Sequence, residues 1–129
     1  MKFSLNAPQL LAAGALLTQQ CHGAAVAGGW WNDPRSGERI QRNTGEMLML
    51  ITSEVAEAME GHRKDLMDDK LPHRKMFEVE LADAVIRIFD LAGSQDFDLG
   101  AAICEKIAFN MQRADHKPEA RLAEGGKKY

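Results

Sequence analysis

Two carboxylate pairs at i, i+3 spacing constrain this chain more than any other feature. One is Glu54-Val-Ala-Glu57 and the other is Glu80-Leu-Ala-Asp83. On a helix each pair projects from one face. At about 100° per residue, Glu54 shares a face with Met47, Ile51 and Ala58, and Glu80 shares one with Phe77, Ala84 and Leu91. The acids therefore interrupt apolar stripes expected to point inward. Gathering four carboxylates there is costly unless a positive group sits among them. A hard divalent cation that prefers oxygen ligands is the simplest such group, Mg²⁺ first and Mn²⁺ as the alternative. A lone ExxE is more often a solvated face or a set of salt bridges. Two such pairs, both among core-type residues, favour the metal. Glu60 and Glu78 lie off these faces and are expected to reach solvent.

Composition narrows the class further. The 129 residues suit one domain, and a net charge of −3 excludes a wholly basic nucleic-acid binder. The charge is uneven. From Lys106 onward the basic residues Lys106, Arg113, Lys117, Arg121, Lys127 and Lys128 face only Asp115, Glu119 and Glu124. An acidic middle and a basic end can combine into one site, with metal on one wall and an anion on the other. Cys21 and Cys104 form no CxxC, so free buried thiols in a reducing cytoplasm are expected. The apolar run Leu10–Leu17 loosely resembles a signal peptide, but it is short and contains Gly14. A capped helix with Pro8 in its first turn is the preferred reading. No stretch approaches a membrane span, and no membrane partner is expected.

Helical signals dominate the chain. The pattern predicts a first helix over 8–27, closed by Gly28-Gly29, then a connection through Trp30-Trp31-Asn32-Asp33-Pro34 with a short helical turn over 38–42. Asn43 and Glu46 form a capping-box pattern for a helix over 44–63. Its run Met47-Leu48-Met49-Leu50-Ile51 is apolar almost all round and predicts a central helix. A charged break over 64–72 leads to a helix over 73–92. Gly93-Ser94-Gln95 turns the chain, and Asp96 or Asp98 caps a helix reaching about Arg113. The polar remainder from about residue 114 is expected to be mobile without a ligand. The fold class is all-α, with a four-helix-bundle-type core in a single domain. Four helices make a small core, and hairpins of this kind often bury their remaining apolar surface against a second copy. The Met-rich central helix and Trp30-Trp31 suit either that interface or the core.

Lys106, Asn110 and Arg113 fall at i, i+4 and i+7 and make one polar stripe. They offer a point charge, an amide and a forked guanidinium suited to phosphate oxygens. The alternative is an exposed helix face. Gly125-Gly126-Lys127-Lys128 adds a flexible backbone and two charges that suit an anion, or simply a disordered basic tail. His22 can line a base pocket with Trp30 and Trp31, or serve as a structural histidine. His62, His73 and His116 read as surface residues, and no Ser/His/Asp, Cys/His or Walker-type set is present.

The arrangement Glu54-x-x-Glu57, twenty-two residues, Glu80-x-x-Asp83 resembles the ExxE…ExxD signature of the MazG-like all-α nucleoside triphosphate pyrophosphohydrolases. Cys21-His22 ahead of Gly29-Trp30-Trp31 is similar to the small single-domain members. So are Ser53–Ala58, Leu81–Arg87, and Lys106-x-x-x-Asn110-x-x-Arg113 with Gly125-Gly126-Lys127-Lys128. The resemblance runs from about residue 19 to the C-terminus. It implies a helical bundle assembled as a homodimer or dimer of dimers. It implies Mg²⁺-dependent cleavage of (deoxy)nucleoside triphosphates between the α and β phosphates, releasing pyrophosphate, as nucleotide-pool house-cleaning. It also implies Glu54, Glu57, Glu80 and Asp83 as metal ligands, with Glu54 or Glu57 accepting the proton of the attacking water. Lys106, Asn110, Arg113, Lys127 and Lys128 are the implied triphosphate contacts. A catalytically silent helical interaction module is the competing reading. A di-iron carboxylate bundle is disfavoured, because neither acidic pair carries a histidine at Glu-x-x-His spacing.

Overall fold

The computed structural model describes Lys2–Tyr129 and is helical. Helix α1 spans Ala7–Ala27, α2 Thr44–Arg63, α3 Met76–Ser94, α4 Leu99–Gln112 and α5 Pro118–Leu122, with a 3₁₀ turn at Ala114–His116. Among the described residues there is no strand, only isolated bridges at Asn32–Arg39 and Met67–Lys75. The chain forms two compact units: residues up to Ala15 with Asp98–Tyr129, and Leu16–Phe97. Among the described residues no helix is long and apolar enough to cross a membrane.

The Leu16–Phe97 unit is built on the α2/α3 pair. Asn43 caps α2, its Oδ1 accepting from the Glu46 amide at 3.0 Å, and Thr44–Arg63 matches the expected span. The two helices run antiparallel, so that Glu54 meets Arg87 and Gly61 meets Met76. At Gly61 the two helices come close: a Cβ there would lie 2.8 Å from Met76 Cγ and 3.0 Å from the Phe77 amide nitrogen. The core holds Trp31, Met47 and Leu91, with Ala25, Val26 and Ile51 packed against them.

Several expectations are corrected. Residues 38–42 form no helical turn. Arg39 bridges to Asn32, and Ile40 N–H donates to the Trp31 carbonyl, because the Asp33–Gly37 turn folds this segment back on itself. Helix α3 begins later than expected, after a turn in which the Asp68 Oδ2 accepts from the Lys70 and Leu71 amides at 3.0 and 2.7 Å. It then runs through Ser94. Helix α2 is not enclosed: Leu48, Val55 and Met59 are 52, 51 and 62 % exposed. Phe77 of α3, expected inward, is also exposed, with Leu81, Val85 and Ile88 on the same side.

In the other unit Asp98 caps α4, accepting from the Ala101 amide. Gly14 and Gly100 let two backbones touch; a Cβ on Gly14 would lie within clash distance of the Gly100 Cα. Past Gln112 the chain forms the 3₁₀ turn Ala114–His116 and the short helix α5. Arg113 forks onto Asp115 at 2.9 and 2.6 Å, Lys127 reaches the same carboxylate at 2.9 Å, and α5 lies between.

Candidate metal centre

Helices α2 and α3 bring Glu54, Glu57 and Glu80 together: one carboxylate oxygen of each lies within 4.8 Å of the other two. Glu54 and Glu80 are buried and Glu57 is exposed. Asp83 lines the same cavity, one turn along α3 from Glu80, but is not one of the three. The electrostatics show the strain of gathering like charges. The Glu80 carboxyl is pushed up to about 7, first by desolvation, then by its hydrogen bond with Glu54 and the charges of Glu57, Glu54 and Asp83. Desolvation and Glu54 raise Asp83 too, partly offset by Arg87 and Lys70. An all-oxygen donor set with this unmet demand for positive charge fits a hard divalent cation. Glu60 and Glu78 pair with Lys64 and Arg74 on the outside, as expected.

The cavity, about 850 Å³, lies within the Leu16–Phe97 unit. This falls in the range of small-molecule sites. Its acidic wall continues through Asp68 and Asp69. Arg42, Lys70 and Arg87 are the cations at its lining, and Trp30, Ala24, Ala25, Leu50 and Ile86 give it an apolar side. The Cys21 thiol also borders it, and desolvation together with Asp90 pushes that thiol up, away from the reactive thiolate. Both cysteines are free and buried.

The three residues assigned to a base pocket separate. Trp30 lines the cavity and is 69 % exposed. Trp31 is 5 % exposed and belongs to the core. Its Nε1–H donates to Asp90 Oδ1 at 2.9 Å, and Arg39 and Arg42 lie over its ring. His22 Nδ1 lies 2.8 Å from the same Asp90 oxygen, with its ring edge-on to Trp31. Asp90, which also lines the cavity, is thus a buried anchor for the His22 and Trp31 rings.

Lys106, Asn110, Arg113, Lys127 and Lys128 belong to the other unit. There Arg113 and Lys127 converge on Asp115, Lys106 Nζ sits 5.0 Å over the Phe109 ring, and the Asn110 side-chain oxygen is buried without a hydrogen-bond partner. The stripe read from the sequence is therefore partly engaged by its own neighbours.

Sequence reasoning missed Arg42, Lys70, Arg87, Asp68 and Asp90. For Arg87 a signal existed: it follows Glu80 by seven residues and so shares its helical face. Asp90 stands in the same relation to Asp83. No family model matches this chain, and comparison with curated proteins and with solved structures gives no match.

Proposed function

We propose that the chain is a divalent-cation-dependent hydrolase of (deoxy)nucleoside triphosphates that cleaves between the α and β phosphates, giving a monophosphate and pyrophosphate. One observation carries the reading: three carboxylates converge in a nucleotide-sized cavity that also presents guanidinium groups and an exposed indole. In this reading Glu54, Glu57 and Glu80 hold Mg²⁺ or Mn²⁺, with Asp83 completing the acidic set. A bound divalent ion supplies neutralisation of phosphate charge and a water of lowered pKa. Glu54 or Glu57 accepts the proton of the attacking water. Glu57 is the more open of the two to solvent. As the α phosphorus gains the water oxygen, its bond to the bridging oxygen breaks and pyrophosphate leaves. Negative charge builds on that leaving group, and cations in the cavity offset it. Trp30 is the indole best disposed to meet a base. House-cleaning of nucleotide pools in the cytoplasm is the role such a reaction serves.

The exposed apolar faces of α2 and α3 support a homodimer or dimer of dimers, since monomers rarely leave such continuous stripes open. The same faces support the competing reading, a catalytically silent interaction module. A panel of ribo- and deoxynucleoside triphosphates, assayed with Mg²⁺ and with chelator, separates them. Metal-dependent release of pyrophosphate with monophosphate is expected. Orthophosphate as the first product, or no turnover by folded protein, overturns the proposal.

A further inference from the structure

The Arg87 Nε donates to Glu54 Oε1 at 2.5 Å, in the middle of the acidic cluster. The pair is asymmetric. Glu54 is a short, buried side chain, 11 % exposed, whereas Arg87 is 40 % exposed and lines the cavity. A carboxylate fixed in α2 cannot follow its partner, but a long arginine can leave on its own rotamers without moving α3. A guanidinium on a carboxylate is a strong charge-assisted pair, and the same fork fits phosphate oxygens. One group thus faces two possible anions across a single cavity.

We propose that Arg87 is a two-position cation: it neutralises Glu54 until a divalent ion takes that carboxylate, and it then turns to the phosphate chain in the cavity. This rests on the metal reading above and deepens it by naming a positioning residue. Three consequences follow. Arg87 competes with the metal for Glu54, so it weakens metal binding when no phosphate ligand is present. It strengthens binding of the phosphate ligand once metal is bound. It therefore makes metal and phosphate bind cooperatively, because each arrival removes a cost for the other.

The test is Mn²⁺ binding followed by electron paramagnetic resonance, and binding of inorganic pyrophosphate by calorimetry, on the full chain. Relative to wild type, Arg87→Ala is expected to bind Mn²⁺ about fivefold more tightly without pyrophosphate. With Mn²⁺ present it is expected to bind pyrophosphate about tenfold more weakly. Arg87→Lys, which keeps the charge without the fork, is expected between the two on both readouts. Wild-type protein offers an independent check: the Arg87 Nε–H resonance should shift on Mg²⁺ saturation and shift again with pyrophosphate. A resonance unmoved by Mg²⁺, or Mn²⁺ affinity unchanged in Arg87→Ala, overturns this inference alone. Wild-type protein that binds no Mn²⁺ overturns the metal reading together with it.

Discussion

Two clusters of the same ingredients behave in opposite ways. At Asp115 one half-exposed carboxylate meets two cations, Arg113 and Lys127, and its carboxyl is held well below the ordinary aspartate range, first by the Arg113 hydrogen bonds and then by Lys127. Around Glu54 the ratio is reversed. Glu54, Glu57 and Glu80 converge with one cation, Arg87, on Glu54, and Glu80 is pushed up to about 7. The first cluster is balanced by its own chain and needs nothing more. The second carries a surplus of negative charge in a place where burial penalises it. Perturbed carboxylates of this kind cluster at functional sites, and an outside cation here would make up the difference.

The sharpest way to break this contrast is to remove a carboxylate from each cluster. Glu57→Gln is expected to lower pyrophosphate release by about 100-fold or more. Steady-state assays with saturating Mg²⁺ measure this, and a wild-type rate would remove Glu57 from the metal site. Asp115→Asn gives the control, as described below.

Next in size is the pH response of chelator-treated protein. Glu80 binds its proton more tightly when folded than when unfolded. Its stabilising effect is therefore full below about pH 4.5, the unfolded value, and is lost as pH rises through about 7. The loss is up to about 3 kcal/mol at 1.36 kcal/mol per unit, and Asp83 contributes with the same sign. Denaturant melts across this range measure it. Adding Mg²⁺ should restore stability most at the alkaline end. A flat profile in chelator would mean that the cluster is not under the strain described.

Glu80→Gln isolates that strain. It keeps a neutral hydrogen-bonding group beside Glu54 and removes one charge. In chelator at pH 8 it is expected to be about 1–3 kcal/mol more stable than wild type, while losing metal-dependent activity. Stabilisation coupled to inactivation is the mark of a site strained for function; a destabilised variant would contradict it.

The smallest effect belongs to Asp115→Asn. Its carboxyl is held low, so the stability it contributes is complete above the ordinary aspartate range and is lost only in acid. The ion pairs are solvent-exposed and salt-screened. Thermal melts at neutral pH should change less than in any variant above, and the difference should shrink in high salt. A large effect would give the basic tail a structural weight its exposure does not suggest.

How much of this was legible in the sequence follows from periodicity. Helix α2 was read to its ends because Asn43 caps it and its inward face, Met47, Glu54 and Ala58, is spaced for one stripe. The convergence of Glu54, Glu57 and Glu80 was legible for the same reason. Whether Leu48, Val55 and Met59 would lie in the core or open on the surface was not, because an all-round apolar helix reads alike whether its neighbours come from its own chain or from another. Arg42 and Lys70 were passed over because they sit in connections, where charge normally means solvent. For His22 and Trp31 the sequence left a pocket lining and a structural role open, because it does not show Asp90 reaching both rings. Asp115 meets Lys127 twelve residues later, a pairing that local propensity does not encode.

The most direct test of the central claim is hydrolysis in water enriched in the heavy oxygen isotope, with Mg²⁺ and with chelator, and mass spectrometry of both products. The account expects Mg²⁺-dependent turnover with the label in the nucleoside monophosphate and none in pyrophosphate, as attack at the α phosphorus requires. Label in pyrophosphate, or turnover that survives the chelator, would contradict it.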